Sequence, residues 1–201
     1  MARPKEKREN IISSASEIFG TKGFHETNII EIADHAGIGK GTVYEYFKSK
    51  NELFVEVVKF NAESYIRRVT QEVMKGQGFH EQLNRLIDIH RTIVGENYEA
   101  TGVFLNTPTA LSAATENTQE VLKILCHARD QIVQLIKDIL SLGKKERYIT
   151  ADDLDYAADI VFDMISRNNI RGFQLNQPDV LIQREQKMLI DFIIFGLSKS
   201  Q

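Results

Sequence analysis

The feature that most constrains the fold is a pair of short helical patterns joined by a glycine turn, within TNIIEIADHAGIGKGTVYEYFKSK (residues 27–50). Thr27 is the predicted N-cap of the first pattern, and Gly37 is the predicted turn residue because glycine adopts positive φ at low cost. The second pattern covers residues 40–47. Four apolar residues share one face of the first pattern: Ile29, Ile32, Ala33 and Ala36. Two helices joined by so tight a turn predict a helix-turn-helix.

The letters GIGKGT (residues 37–42) also resemble part of a nucleotide-binding loop. A P-loop requires G-x-x-x-x-G-K followed at once by Ser or Thr, and it lies between a strand and a helix. Here Gly41 follows Lys40, and Asp34 occupies the position of the first glycine. The preceding segment has helical periodicity, so spacing and context both exclude the P-loop.

The second helix of the pair has two different sides when its residues are placed about 100° apart. Val43 and Phe47 share the inner side, while small or polar residues lie outside. A helix that reads DNA presents such groups to base edges and phosphates. The predicted outer and flanking residues are Lys40, Gly41, Thr42, Tyr44, Glu45 and Tyr46. We therefore expect this helix to contact DNA.

A capping box at Ser49-Lys50-Asn51-Glu52 predicts the start of a long helix that continues to about residue 75. Lys50 lies where a helix N-terminus already attracts anions, so we expect it to bind a DNA phosphate. Lys48 is interpreted as a solvated surface residue.

The remaining periodicity is helical throughout, and no alternating strand pattern is evident. A first helix carrying Ile11 and Phe19 is expected to stop at Gly20 and Gly23. Thr150 is the predicted cap of a late helix that ends near residue 169. Further helices are predicted at about residues 79–94, 119–142 and 179–197. The predicted class is all-α with about nine helices: a three-helix DNA-binding domain (residues 1–50) and a helical ligand-binding and dimerisation domain (residues 51–201).

Charge and cysteine content narrow the function classes. The net charge of −3 argues against a general polyanion binder, but residues 1–50 carry eight basic and seven acidic side chains against seventeen and twenty-one in the rest. The single cysteine excludes an internal disulfide and a multi-thiolate zinc site. The polar N-terminus contains no secretory signal, and the most apolar stretch (residues 188–197) is too short to span a membrane. We expect a cytoplasmic protein that has no membrane partner.

The first 55 residues or so resemble the DNA-binding domain of the TetR family of bacterial transcriptional regulators. The helix pair, the glycine turn, T-[VL]-Y-x-[YH]-F and K-x-K-x-x-L occur in the order typical of that family. Two positions depart from it: Gly39 replaces a frequent serine, and Ile30 replaces a frequent polar or basic residue. The resemblance implies DNA contacts at Thr27, Asn28, Lys40, Gly41, Thr42, Tyr44, Tyr46 and Lys50.

The last two helices are apolar around most of their girth, which indicates coverage on two sides by a central core or by a second subunit. The resemblance favours a four-helix dimer interface. The predicted interface residues are Val161, Ile165, Leu189, Phe192 and Ile193. Polar or aromatic residues among the apolar helices are candidates for a ligand pocket: His90, Tyr98, Phe104, Cys126, Asp163 and Arg167.

The sequence and the resemblance together predict a homodimeric repressor that binds a palindromic operator in double-stranded DNA and is released by an unidentified small-molecule effector, with no metal or other cofactor. One alternative is a DNA-binding dimer without a ligand, and another is an architectural DNA binder with little sequence preference. A helical enzyme using Cys126 and His127 is a remote alternative, because adjacent helix residues point about 100° apart.

Overall fold

The computed structural model describes residues 4–96, 118–174 and 179–198, which form eight α-helices and no strand within these ranges. The predicted all-α class is confirmed. The helices are α1 (Pro4–Glu26), α2 (Ile29–His35), α3 (Lys40–Tyr46), α4 (Lys50–Val73), α5 (Gly78–Glu96), α6 (Thr118–Lys145), α7 (Leu154–Gln174) and α8 (Asp179–Leu197).

The described residues group into two compact units, and each has its own apolar core. The head unit comprises residues 4–64 and 118–127, and the body unit comprises residues 65–96, 128–174 and 179–198. The domain boundary at residue 50 stays a prediction.

Helix α1 forms part of the head core. It continues through Gly20 and is interrupted at Gly23, where φ is 77° and ψ is 166°. The expected stop at Gly20 is therefore wrong, because glycine weakens a helix interior without forbidding it. At Gly23 the positive φ strongly favours glycine, so the break occurs there.

The head core joins α1, α2, α3 and the first turns of α4. Phe54 packs edge-on against Phe24 and Phe19, with ring centroids 4.9 and 5.4 Å away. Asn61 and Ser16 exchange hydrogen bonds between α4 and α1. The largest fully buried residues of this core are Ile11, Ile32, Phe47 and Leu53. Because each such side chain contributes roughly 1.5–3 kcal/mol, the core fixes the orientation of both short helices.

The body core is formed by the later helices, and α5 packs on α7 and α8. Phe79 at the start of α5 is fully buried and lies against Gly143 of α6, where a Cβ would approach the Phe79 ring to 2.6 Å. The predicted cap at Thr150 is wrong, because Asp153 accepts the hydrogen bond from the Tyr156 N–H at 3.0 Å. Helix α7 accordingly begins at Leu154.

None of the described helices combines the length and the apolar character that crossing a membrane would require.

Candidate nucleic-acid interface

The turn between α2 and α3 depends on Gly37. Its φ is 67°, as the sequence predicted, and its N–H donates to the Asp34 carbonyl at 3.1 Å. The next N–H, from Ile38, donates to the Ala33 carbonyl at 3.0 Å, and the Ile38 side chain packs against the head core. These bonds satisfy carbonyls at the end of α2 and direct the chain into α3.

Helix α2 is capped by Asn28, and the prediction that Thr27 caps it is wrong. The Asn28 side chain accepts from the Ile30 N–H at 3.1 Å, and the Glu31 carboxylate accepts from the Asn28 N–H at 3.3 Å. Thr27 is only 3% exposed, and its hydroxyl donates to the Gly23 carbonyl at 2.7 Å. Asn28 is therefore accessible, whereas the Thr27 hydroxyl is engaged inside the protein.

Helix α3 is anchored on one side and open on the other. Val43 and Phe47 are buried at 0% and 2% exposure, whereas Gly41 is exposed and Tyr44 is 46% exposed. Thr42 is half-buried. No atom of another residue lies within 4 Å of a methyl group placed on Gly41. The outer surface of this helix can therefore approach a ligand closely.

The two flanks of α3 differ. The Lys40 ammonium lies 5.8 Å from the centroid of the Tyr44 ring, so these two predicted contacts form one exposed pair. Tyr46 on the other flank is half-buried and packs against the head core. Only part of Tyr46 is therefore available to DNA, and its contact stays a prediction.

Lys50 makes internal contacts that the sequence did not reveal. Its ammonium donates to the Thr27 carbonyl at 2.8 Å and the His25 carbonyl at 3.3 Å, and it lies 4.5 Å from the Phe24 ring centroid. Partial burial lowers the pKa of Lys50. An ammonium has three N–H donors, so these two bonds leave one for a phosphate. Lys50 thus fastens the start of α4 to the chain between α1 and α2.

The predicted capping box of α4 is half correct. The Ser49 hydroxyl accepts from the Glu52 N–H at 3.1 Å, as predicted. The Glu52 carboxylate instead accepts from the Lys48 N–H at 2.6 Å, one residue earlier than expected. Both bonds hold the chain that connects α3 to α4.

Residues 11–57, which include α2, α3 and the first turns of α4, match the model of the tetR family of bacterial regulatory proteins. Over these residues the chain is similar to the DNA-binding region of the TetR family. One relative is the fatty acid metabolism regulator protein of Bacillus subtilis, which is 26% identical over 98 residues covering 49% of this chain and 50% of the relative. The transcriptional activator FasR of Mycolicibacterium smegmatis is 30% identical over 83 residues, covering 41% and 38%. The chain thus spans half or less of these curated relatives.

A solved structure is similar to this chain over nearly the whole fold. The transcriptional regulator FadR of Bacillus subtilis, solved in complex with stearoyl-CoA, has a TM-score of 0.71 and 21% identity. The match covers 94% of this chain and 98% of that one. At this identity the likeness establishes a shared fold.

The predicted pocket residues fall into different surroundings. His90 is 1% exposed in the body core, where its ring lies edge-on to Tyr65 at 5.8 Å, and burial lowers the pKa of His90 to about 4. Cys126 is exposed on α6 in the head unit. Asp163 and Arg167 are exposed on α7. Two further candidates, Tyr98 and Phe104, lie outside the described residues.

Two buried hydroxyls of the body were missed by sequence reasoning. The oxygens of Tyr65 and Ser166 are inaccessible to solvent and have no hydrogen-bond partner within the described ranges. Burial raises the pKa of Tyr65, so its hydroxyl keeps its proton and can donate. A buried hydroxyl without a partner costs about 1–3 kcal/mol. A serine and a tyrosine far apart in the chain give no pattern from which this placement could be predicted.

Three of the five predicted dimer residues are core residues of the body. Val161, Ile165 and Ile193 are each 2% exposed, because they form the inner stripes of α7 and α8. Leu189 is partly buried against the same core, and Phe192 is 66% exposed. Among the residues of these two helices whose exposure the structure describes, the exposed large apolar ones are Tyr156, Ile160, Met188, Phe192 and Phe195, here called the apolar face.

The spacing within the apolar face explains its exposure. Tyr156 and Ile160 are four residues apart on α7, and Asp163 and Arg167 continue the same stripe. Met188, Phe192 and Phe195 follow the equivalent spacing on α8. Residues at such intervals share one side of a helix. Asp163 and Arg167 therefore lie beside this surface.

Cys126 and His127 are adjacent on α6, so their side chains point about 100° apart. Both are exposed neighbours on α6. Within the part of the chain that the structure describes, no three side chains of His, Cys, Asp or Glu converge as a metal site. The relatives are transcriptional regulators.

Proposed function

We propose that this protein is a homodimeric, sequence-specific DNA-binding repressor that a small molecule releases from its operator. The observation that carries the proposal is the outer side of α3, where Gly41, Thr42 and Tyr44 are accessible while Val43 and Phe47 hold the helix in place. A helix that enters the major groove needs this division between anchored and open sides.

Each accessible group has a proposed part in binding. Gly41 lets the backbone of α3 approach the base edges, and Thr42 supplies a hydroxyl and a methyl group to them. Lys40 and Tyr44 contact phosphate from one flank of the helix. The remaining N–H donor of Lys50 and the accessible side of Asn28 extend the phosphate contacts. Because most of these contacts are with phosphate, affinity should fall steeply as salt concentration rises.

The apolar face is the proposed dimer interface. Its large residues are 42–84% exposed in the single chain. Exposed apolar patches of this kind are typical of protein–protein interaction sites. Two copies related by a twofold axis would bury it and present two heads to a palindromic site, with half-sites about 34–36 Å apart. Of the interface residues predicted from the sequence, Phe192 is kept in this proposal. The buried ones are replaced by Tyr156, Ile160, Met188 and Phe195.

The operator can be found by selecting bound duplexes from a random pool. We expect a palindromic consensus and a log affinity that decreases linearly with log salt. Thr42→Ala should relax the preference at particular bases by about 1–3 kcal/mol.

Lys48→Ala is the matched control, since Lys48 is exposed just beyond α3 and carries no proposed base contact. It should leave the base preference unchanged. Equal binding of operator and random duplex would favour an architectural DNA binder and contradict the proposal.

The effector is proposed to bind in the body and to be an acyl-CoA thioester. Support comes from FadR of Bacillus subtilis, which has the same fold and was solved with stearoyl-CoA. The buried hydroxyls of Tyr65 and Ser166, with neutral His90 beside Tyr65, are suited to an uncharged polar group such as a thioester carbonyl. Helix α4 runs from Lys50 to Val73 and is the proposed connection to the head. The effector would favour a state whose heads no longer match the operator.

Stearoyl-CoA is the first probe, and stearate and free CoA are its controls. We expect stearoyl-CoA to lower operator affinity in the parent and to do so less in Tyr65→Phe. The phenylalanine variant should fold as well as the parent, because it removes a hydroxyl that has no partner within the described residues. If none of a broad set of compounds alters operator affinity, the protein is a ligand-independent DNA-binding dimer.

A further inference from the structure

Ile30 is a large apolar residue exposed on the helix-turn-helix. It is 45% exposed, whereas its neighbours Ile29 and Ile32 are 5% and 0% exposed. In the described part of the head, the other exposed large hydrophobic residues are Tyr44 and Phe60. Single apolar residues are common on protein surfaces, so exposure alone implies nothing. The position of Ile30 on α2 relates its exposure to the proposed DNA binding.

The two flanks of α2 have different neighbours. Glu31 is ion-paired with Lys22 at 2.7 Å, and His35 lies 3.4 Å from Glu17, so α1 runs along the flank that carries Glu31 and His35. At about 100° per residue, Ile30 points away from that flank and away from the buried stripe. It therefore remains uncovered in the first turn of α2, two residues after the accessible cap Asn28.

The chemistry of an isoleucine restricts what it can recognise on DNA. Its side chain has no donor or acceptor, so it gains nothing from phosphates or polar base edges. The C5-methyl group of thymine is the apolar group that base edges present in the major groove. In this docking mode the first helix of the pair crosses the DNA backbone beside that groove. A side chain in its first turn is thus close to the groove edge.

We propose that Ile30 contacts the C5-methyl group of one thymine in each operator half-site and specifies thymine there. This inference rests on the proposed operator binding. It makes α2 a second element that reads bases beside α3, with an apolar contact at a position where the family often has a polar or basic residue.

The test replaces each operator thymine in turn by deoxyuridine, which keeps the hydrogen-bonding edge and removes only the methyl group. At one position in each half-site, the parent should bind deoxyuridine about three- to fivefold more weakly than thymine, the factor that burial of one such group gives. Ile30→Ala should bind the two operators equally. Ile30→Val, which keeps two methyl groups, should retain part of the difference.

The matched control is Phe60→Ala. Phe60 is an exposed large hydrophobic residue of the head that lies outside the helix-turn-helix. The Phe60→Ala variant should show the same deoxyuridine penalty as the parent. If every deoxyuridine penalty persists in Ile30→Ala, the contact belongs to another residue and this inference is wrong. If the parent selects no operator at all, the proposed function fails instead.

Discussion

The head and the body expose opposite kinds of surface. On the head, α3 turns its apolar residues inward and leaves glycine, threonine and tyrosine outside. On the body, α7 and α8 keep inner apolar stripes and also expose a second apolar set, in which Phe195 is 84% exposed. The head is therefore suited to a charged, hydrated partner, and the body to an apolar one. The proposed regulator, which binds DNA as a dimer, needs both kinds of surface.

The largest expected effect tests whether the apolar face of the body is the dimer interface. Phe192→Asp places a carboxylate on the apolar face, and burying an unpaired charge in a dimer interface costs several kcal/mol. We expect the dimer dissociation constant to rise about 100-fold or more, because each 1.4 kcal/mol is a factor of ten. Sedimentation equilibrium measures this constant, and operator affinity should fall with it.

Met74→Asp is the control for this change. Met74 is 61% exposed in the body and lies just after α4, outside the apolar face. Its variant should dimerise like the parent. A dimer that survives Phe192→Asp would mean that the two copies meet elsewhere.

The next effect concerns acid sensitivity, which should differ between the units. In the folded body the pKa of His90 is lowered to about 4, against about 6.5 when unfolded, so the unfolded state binds the proton first. Stability is therefore complete above about pH 6.5 and falls as pH decreases towards 4. The loss should be about 2 kcal/mol by pH 5, at 1.36 kcal/mol per pH unit.

Urea unfolding at pH 7, 6 and 5 measures this loss, and His90→Gln should remove most of it. His90 lies in the core of the body unit, so amide exchange should show the body weakening first. Equal weakening of both units would contradict the assignment to His90.

The smallest expected effects separate two glycines of the head. Gly37→Ala should lower the free energy of unfolding by about 1–2 kcal/mol, because its φ of 67° strains any L side chain. Gly41→Ala should leave stability unchanged or raise it by up to about 1 kcal/mol, since alanine favours a helix and the added methyl meets no neighbour. Thermal unfolding distinguishes them.

The two glycine variants should differ from each other in another way when operator affinity is measured instead of thermal stability. Gly41→Ala should weaken it despite normal stability, because the methyl group would lie between α3 and the bases. If Gly41→Ala binds like the parent, the backbone of α3 does not approach DNA at that point.

The head could be predicted from sequence because its determinants are local. The glycine turn, the apolar spacing and the position of Val43 and Phe47 all lie within a short stretch. The error at Thr27 was avoidable, since Asn28 with Glu31 three residues later is itself a capping box. The internal bonds of Lys50 were not predictable, because the carbonyls that it reaches lie 23 and 25 residues earlier.

The body was harder to predict because its late helices are apolar on more than one side. Periodicity predicted that both Val161 and Phe192 are covered, but it does not tell which side of a helix faces the chain's own core and which side is left for a partner. Burial of Val161 at 2% and exposure of Phe192 at 66% make that distinction. The Ser166 hydroxyl has no partner among the described residues, and such a placement depends on packing from several helices and leaves no sequence signal.

The anchoring of α3 through Val43 and Phe47 also bears on how such a regulator diversifies. The packing of α3 depends on two inward side chains. The residues facing outward at positions 40, 41, 44 and 45 can therefore be exchanged with little effect on the position of this helix. New target sites can then arise by substitution at these few codons. Related regulators can thereby come to recognise different promoters while they keep the same fold.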